Sequence, residues 1–273
     1  MKRPARFVLI LSLVLPFFSS HPGFGAVSLN IAGDLSHVYT LDPGGRVKAR
    51  ITIENQGDEE GEVKVYLQDY LHYADGRNLF QKPGTIHRSN ASWIQVSPNQ
   101  ASIPPKGTLT VEYALSVPAE PSLKGTYWSL IVVEPVPKAL LSPKAPEDEV
   151  NMNVITVTRF AVQVITTLGR TGTASLRFSD RRLVREEKRR LLELDLENSG
   201  ERLLSPHVWA ELFNDQGQPA GQFDGSRARI YPGGSFRFQL DLSALAPGAY
   251  KAVVVADNGD ENVFGANYTL ELK

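Results

Sequence analysis

Apolar and polar positions alternate along this chain in short runs. Val47, Ala49, Ile51 and Ile53 alternate with Lys48, Arg50, Thr52 and Glu54. Val63, Val65 and Leu67 share one face of the next run, and Leu109, Val111, Tyr113, Leu115 and Val117 one face of another. A period of two is the spacing of a half-buried β-strand, whose successive side chains point to opposite faces. Asn55-Gln-Gly57, Asp75-Gly76, Pro104-Pro105-Lys106-Gly107 and Asn258-Gly259-Asp260 separate such runs and read as turns. No stretch keeps apolar residues at spacings of three and four over three turns, so helix content should be low.

The pattern is written twice. Arg50-Ile-Thr-Ile-Glu-Asn55-Gln-Gly57, then Ile103-Pro-Pro-Lys-Gly107, then Gly125-Thr-Tyr127 running into Leu130–Val133 form the first copy. Leu194-Asp-Leu-Glu-Asn198-Ser-Gly200, then Ile230-Tyr-Pro-Gly-Gly234, then Gly248-Ala-Tyr250 running into Ala252–Val255 form the second. This order predicts an all-β chain of two tandem immunoglobulin-like β-sandwich domains. The start of the chain is not part of them. Lys2, Arg3 and Arg6 precede an apolar run from Phe7 to Phe18, and Gly23-Phe-Gly25-Ala26 offers a cleavage site. Residues 1–25 therefore read as a cleaved signal peptide. The remainder divides into an N-terminal domain over 26–168 and a C-terminal domain over 169–273, with the boundary at Gly169-Arg-Thr-Gly172.

Composition narrows the setting. The chain has 273 residues and no cysteine, and loss of Lys2, Arg3 and Arg6 with the signal takes its formal charge from −1 to −4. An exported protein without disulfides points to the bacterial envelope, and the missing Cys leaves nothing for a lipoprotein anchor. A mildly acidic chain gives no reason to expect nucleic acid or an anionic membrane as partner. No segment of the mature chain approaches the ~20 apolar residues of a bilayer span.

Signals for catalysis are thin. His37, His72, His87 and His207 have no metal-ligand spacing, and no Gly-x-Ser-x-Gly or phosphate-cradling loop is present. The chain is expected to be no enzyme and to need no cofactor or metal. Asp257-Asn-Gly-Asp260-Glu261-Asn262 is rich in oxygens, but Asn-Gly between strands is first a turn signal. Arg181 to Arg190, between two strand patterns, reads as an exposed hairpin or loop, with a short helix as the alternative. Asn90-Ala-Ser92 and Asn267-Tyr-Thr269 are glycosylation sequons. Trp93 is expected as a core plug between sheets. Tyr66, Tyr70, Tyr73, Phe80 and Trp93 would serve either as core and rim or as a carbohydrate platform.

The segment 154–165 is unusual. Val154, Phe160, Val162 and Val164 lie on one face with Thr156 and Thr158 between them, a core face. The opposite face carries Ile155, Val157, Arg159, Ala161, Gln163 and Ile165, and opens with two β-branched aliphatics instead of polar residues. It packs either against the second domain or a loop, or it offers a sheet edge and apolar side chains to a partner strand.

On these residues the chain resembles the PapD-like periplasmic chaperones of pilus assembly. The resemblance lies in Ala26-Val-Ser-Leu-Asn30, in Ile103-Pro-Pro-Lys-Gly107 before an alternating strand, and in Gly125-Thr-Tyr-Trp-Ser-Leu-Ile-Val-Val-Glu-Pro135 followed by a proline-rich loop and the strand 154–165. It covers about residues 26–168; the second domain resembles generic bacterial immunoglobulin-like domains. It implies a periplasmic chaperone that binds an exported pilus or surface subunit by β-strand addition through Ile155, Val157 and Arg159, with an outer-membrane usher as a further partner. That family anchors the subunit's terminal carboxylate with an Arg early in the first strand and a Lys in the last. Here no basic residue lies between Val27 and Arg46, and the late-strand candidate is Arg159. The alternative reading is an adhesive or scaffolding module binding glycan or peptidoglycan through Tyr66, Tyr70, Tyr73 and Trp93.

Overall fold

The computed structural model describes residues 27–137, 156–187 and 189–273. The expected signal at 1–25, most of the proline-rich segment and Ile155 lie outside the described residues. The described chain is all-β, two tandem immunoglobulin-like sandwiches with a single three-residue 3₁₀ turn at Ala91–Trp93. No helix among the described residues is long and apolar enough to cross a membrane.

The first sandwich uses β1 (Leu29–Ala32), β2 (Ser36–Leu41), β3 (Arg46–Asn55), β4 (Gly61–His72), β5 (Asn78–Gln81), β6 (Ile94–Ser97), β7 (Gln100–Ile103), β8 (Thr108–Ser116), β9 (Gly125–Val136) and β10 (Phe160–Leu168). One sheet runs β1-β3-β8-β6; the other runs β2-β10-β9-β4-β5, with β7 on β4. The alternation in the sequence is the alternation of burial: Ile51, Ile53, Val111, Val133, Val162 and Val164 meet between the sheets. Gly33, at φ 98°, lies between β1 and β2, and the chain changes sheets there.

The second sandwich uses β11 (Leu176–Glu186), β12 (Arg189–Asn198), β13 (His207–Phe213), β14 (Pro219–Arg227), β15 (Ser235–Asp241), β16 (Gly248–Asp257) and β17 (Val263–Leu272), in sheets β11-β12-β15 and β14-β13-β16-β17. Arg181 to Arg190 is the far end of the β11–β12 hairpin, paired down to Glu186↔Arg189. Several of its charges find partners: Arg182 lies 3.3 Å from Asp195, and Arg181 stands over the Tyr268 ring at 4.5 Å.

The repeated sequence has a repeated physical cause. Asn55 is buried, donates Nδ2 to the carbonyls of Ile103 (3.1 Å) and Pro104 (3.2 Å), and accepts the Gly57 N–H at 3.0 Å. Asn198 is buried likewise, donates Nδ2 to the Ile230 carbonyl at 2.7 Å, and accepts the Gly200 N–H at 3.0 Å. In both copies one amide closes a turn that carries the chain from one sheet to the other, β3 to β4 and β12 to β13, and ties it to the Pro/Gly turn that opens another strand. The first is therefore not the hairpin that Asn55–Gly61 suggests. Only an amide donates and accepts at once in this way.

Two expectations are corrected. Trp93 is not the plug; it is part-buried at the rim and tilts against Tyr127 at 4.6 Å. The fully covered indole is Trp128, on the outer face of the β9 sheet. Its Nε1 donates to the Tyr70 carbonyl at 2.6 Å, and its ring stacks on Tyr231 of the second sandwich at 4.6 Å. The Asn90 sequon is no acceptor: Asn90 is buried and gives its amide to the Val164 carbonyl (3.1 Å) and Thr166 Oγ1 (3.0 Å).

Around Trp128 the sandwiches are joined tightly. Leu71, Trp128, Ile165 and Tyr231 form one apolar cluster across the junction. Beside it the Glu201 carbonyl accepts the Thr126 N–H at 2.8 Å, and the Glu201 carboxylate lies 3.1 Å from Arg88 and 3.2 Å from Lys124. Burial pushes the Glu201 carboxyl up, but the Thr173 N–H and the cations Lys124 and Arg88 outweigh it and hold the group below its usual value. A carboxyl lowered by folding stabilises the native state above its unfolded value, and that stability is lost as pH falls through the folded one. We expect Glu201→Gln to lower the melting temperature at neutral pH and the difference from wild type to vanish on acidification below the ordinary carboxylate range. A pH-independent difference in melting would contradict this role.

Candidate strand-docking edge

The candidate site lies just beyond the start of β2. β2 pairs in parallel with β10 only from Gln163↔Ser36 to Leu168↔Leu41, and the Gln163 N–H reaches the Leu35 carbonyl at 2.9 Å. The chain before β2 is β1, which has crossed to the other sheet. Among the described residues no strand lies beside Phe160–Val162 on that side. Because the Gln163 N–H points toward β2, period two aims the N–H and C=O of Ala161 into the vacant lane.

The other neighbour of β10 stops as well. The β9–β10 ladder ends at Phe160↔Val133, since β9 continues into Glu134-Pro135-Val136-Pro137 and proline carries no N–H for a ladder. Thr156–Arg159 thus lead into the lane without a strand on either side among the described residues. Where the lead-in leaves the β9–β10 ladder a groove opens beside it, its apolar part made by Val27, Leu29, Pro135, Val136, Val157 and Phe160 and the rest by Ser28, Glu59, Thr156 and Thr158. Val27 (38% exposed), Leu35 (48%), Val38 (55%) and Val157 (36%) are half of the large hydrophobics exposed among the described residues; Val38 is on β2, and Leu35, Val157 and Val27 lie just before β2, β10 and β1. An edge with free backbone groups and exposed apolar side chains is what a pairing strand needs.

At the inner end stands a cation. Arg229 of the second sandwich donates Nη1 to Ser36 Oγ (2.6 Å) and Gln163 Oε1 (3.1 Å), and Tyr231 donates Oη to the same Gln163 oxygen at 2.8 Å. Burial pushes the Tyr231 phenol well up, against the pull of Arg229, so it stays a neutral donor. No carboxylate pairs with Arg229 among the described residues.

Of the residues singled out in the sequence, Val157 lies exposed in the groove and Ile155 lies outside the described residues. Arg159 pairs within the chain: its Nε is 3.3 Å from Glu134 Oε2, which also accepts Tyr66 Oη at 2.5 Å. The outward face of β10 divides. Gln163 and Ile165 are covered by the second sandwich, and only Ala161 and the lead-in remain open. Leu35 and Arg229 had no signal in the sequence, and the meeting of Gln163 with Arg229 and Tyr231 had none either, because it joins two domains.

The aromatic residues do not form one platform. Tyr66 is bound to Glu134, Tyr70 lies between Phe80 and Tyr231, Tyr73 lies under Arg77, and Trp93 sits against Tyr127. In the 257–262 loop, Asp260 accepts the Asn262 N–H at 2.9 Å and lies 3.6 Å from Arg202, so the loop is a side-chain-braced turn.

No family model and no curated protein sequence matches this chain. Solved structures do. One is a chain of the chaperone–tip adhesin complex of CFA/I fimbriae biogenesis, at 13% identity, 90% of this chain, 100% of that chain and TM-score 0.49. Others are the CsuC–CsuE pre-assembly complex from Acinetobacter baumannii Csu pili (11%, 87%, 97%, 0.46) and the E. coli chaperone DraB (15%, 90%, 97%, 0.42). The chain is similar to these fimbrial chaperone structures over most of its length.

Proposed function

We propose that this chain is a non-enzymatic, periplasmic chaperone-like protein that captures an exported pilus or surface subunit by adding a partner strand to the open edge of β10. The observation that carries this reading is the vacancy beside Phe160–Val162, where β2 stops at Ser36 while the β10 backbone continues. Main-chain hydrogen bonds along this lane supply affinity, and the apolar groove at Val27, Leu29 and Val157 supplies register. The sequence resemblance to PapD-like chaperones supplies the class of partner and the outer-membrane usher as its next recipient. A strand entering in line with β2 must end or turn aside at Ser36, beside the Arg229 guanidinium, so a chain end with a free carboxylate suits the position. The anchor would then come from Arg229 of the second sandwich.

The test is co-expression with the exported proteins encoded beside it. A complex that survives size-exclusion chromatography is expected, with recovery reduced severalfold by Val157→Asp, which places a charge in the apolar groove. No complex with any of them, or one indifferent to Val157→Asp, overturns the proposal.

A further inference from the structure

The lead-in to the open lane is held by side chains where the backbone is not. Thr156–Arg159 make no backbone hydrogen bond to β9 or β2 among the described residues. The register of the β9–β10 ladder nevertheless continues by one position through side chains, since Phe160↔Val133 places Arg159 beside Glu134. Glu134 is the last residue of β9 before Pro135, so the strand delivers a carboxylate at the point where its ladder stops. The same Oε2 is shared with Tyr66 Oη of the next strand, and Tyr66 stands opposite Val132 in the β4–β9 ladder. Two strands and the lead-in to a third thus meet at one oxygen on the outward face of the sheet.

We infer that Tyr66, Glu134 and Arg159 form a positioning clamp that fixes the first rungs of β10 and keeps the vacant lane in register for its partner. The inference builds on the lane's reading as a docking edge, but the clamp acts in the free protein. Ordering an unbonded segment at the moment of binding costs conformational entropy for each residue fixed. A segment already held in line has less to lose, which is the general advantage of a pre-organised site. In this account Arg159 positions the strand and is not itself a contact for the partner. Tyr66 serves the clamp by holding Glu134 through the bond from its Oη to Glu134 Oε2.

The test needs no partner. The amides of Phe160 and Val162 point toward β9, by alternation from Gln163, and are the first protected rungs. Their exchange in the full chain, resolved by NMR, reports opening at this end of β10. Glu134→Arg and Arg159→Glu are each expected to speed exchange at these two amides by about two- to fivefold, the scale of a partly exposed ion pair, with β16 of the second sandwich unchanged. The double charge swap, Glu134→Arg with Arg159→Glu, should restore protection. Unchanged exchange in both single variants, or a rise that the swap leaves in place, overturns the clamp. If either single variant loosens the whole domain, Tyr66→Phe and Arg159→Gln decide it. Exchange rising only at Phe160 and Val162 supports the clamp; no rise overturns it. Failure to capture any subunit would remove the docking reading and leave this result standing.

Discussion

Replacing Trp128 by alanine is expected to destabilise the protein by about 3–5 kcal/mol, the usual range for emptying a buried aromatic site. The indole is 2% exposed, and its removal leaves a void among Leu71, Ile165 and Tyr231. It also strips the Tyr70 carbonyl of its 2.6 Å donor. Since this cluster lies between the sandwiches, the loss should fall on their coupling. Denaturant unfolding of wild type should be one transition, and Trp128→Ala should split it so that each sandwich unfolds by itself. Trp128→Phe separates the contributions: it keeps most of the stacking on Tyr231 but loses the Nε1 bond, and should cost about 1–2 kcal/mol. A single unsplit transition shifted by less than about 1 kcal/mol in Trp128→Ala would mean that the junction is held by the Glu201 contacts instead.

Period two made the strands readable. Val162 and Val164 on one face and Gln163 and Ile165 on the other are where the alternation puts them, and Ile165 is buried on the outer face because the second sandwich covers it. Asn55 and Asn198 were visible as a repeat before their shared bonding explained it. What the sequence could not disclose is non-local. Trp93 and Trp128 both stand in strand-like contexts, and only the arrival of Tyr231 from far along the chain decides which indole is covered. Arg229 follows no motif and becomes part of the site through contacts with Ser36 and Gln163 alone. Arg159 stands out in the sequence as a cation on the late strand, but its pairing with Glu134 of β9 is a cross-strand contact that no local pattern shows. The vacancy itself is a fact of register: it exists because β2 begins at Ser36, and no local pattern sets that limit.

Ala161→Pro should weaken subunit capture strongly while leaving the sandwich folded. Ala161 lies opposite Val132 of β9 but turns its N–H away from it, into the lane. The fold makes no use of that donor, so proline is tolerated here for the reason it is tolerated on edge strands. Phe160, preceding it, is already in a strand and accepts the extended restriction that a following proline imposes. A partner strand meets a different surface: one donor is missing and the ring carbons occupy the space where its backbone would lie. Loss of a backbone hydrogen bond together with that obstruction should weaken capture by about tenfold or more. Ala161→Thr, which favours the strand and keeps the N–H, is the control that should bind like wild type. Circular dichroism and the melting temperature establish that Ala161→Pro is folded, and co-purification with the subunit reads the effect. If the folded proline variant recovers as much subunit as wild type, the partner does not pair along β10, and the apolar groove near Val157 must be engaged by side chains alone.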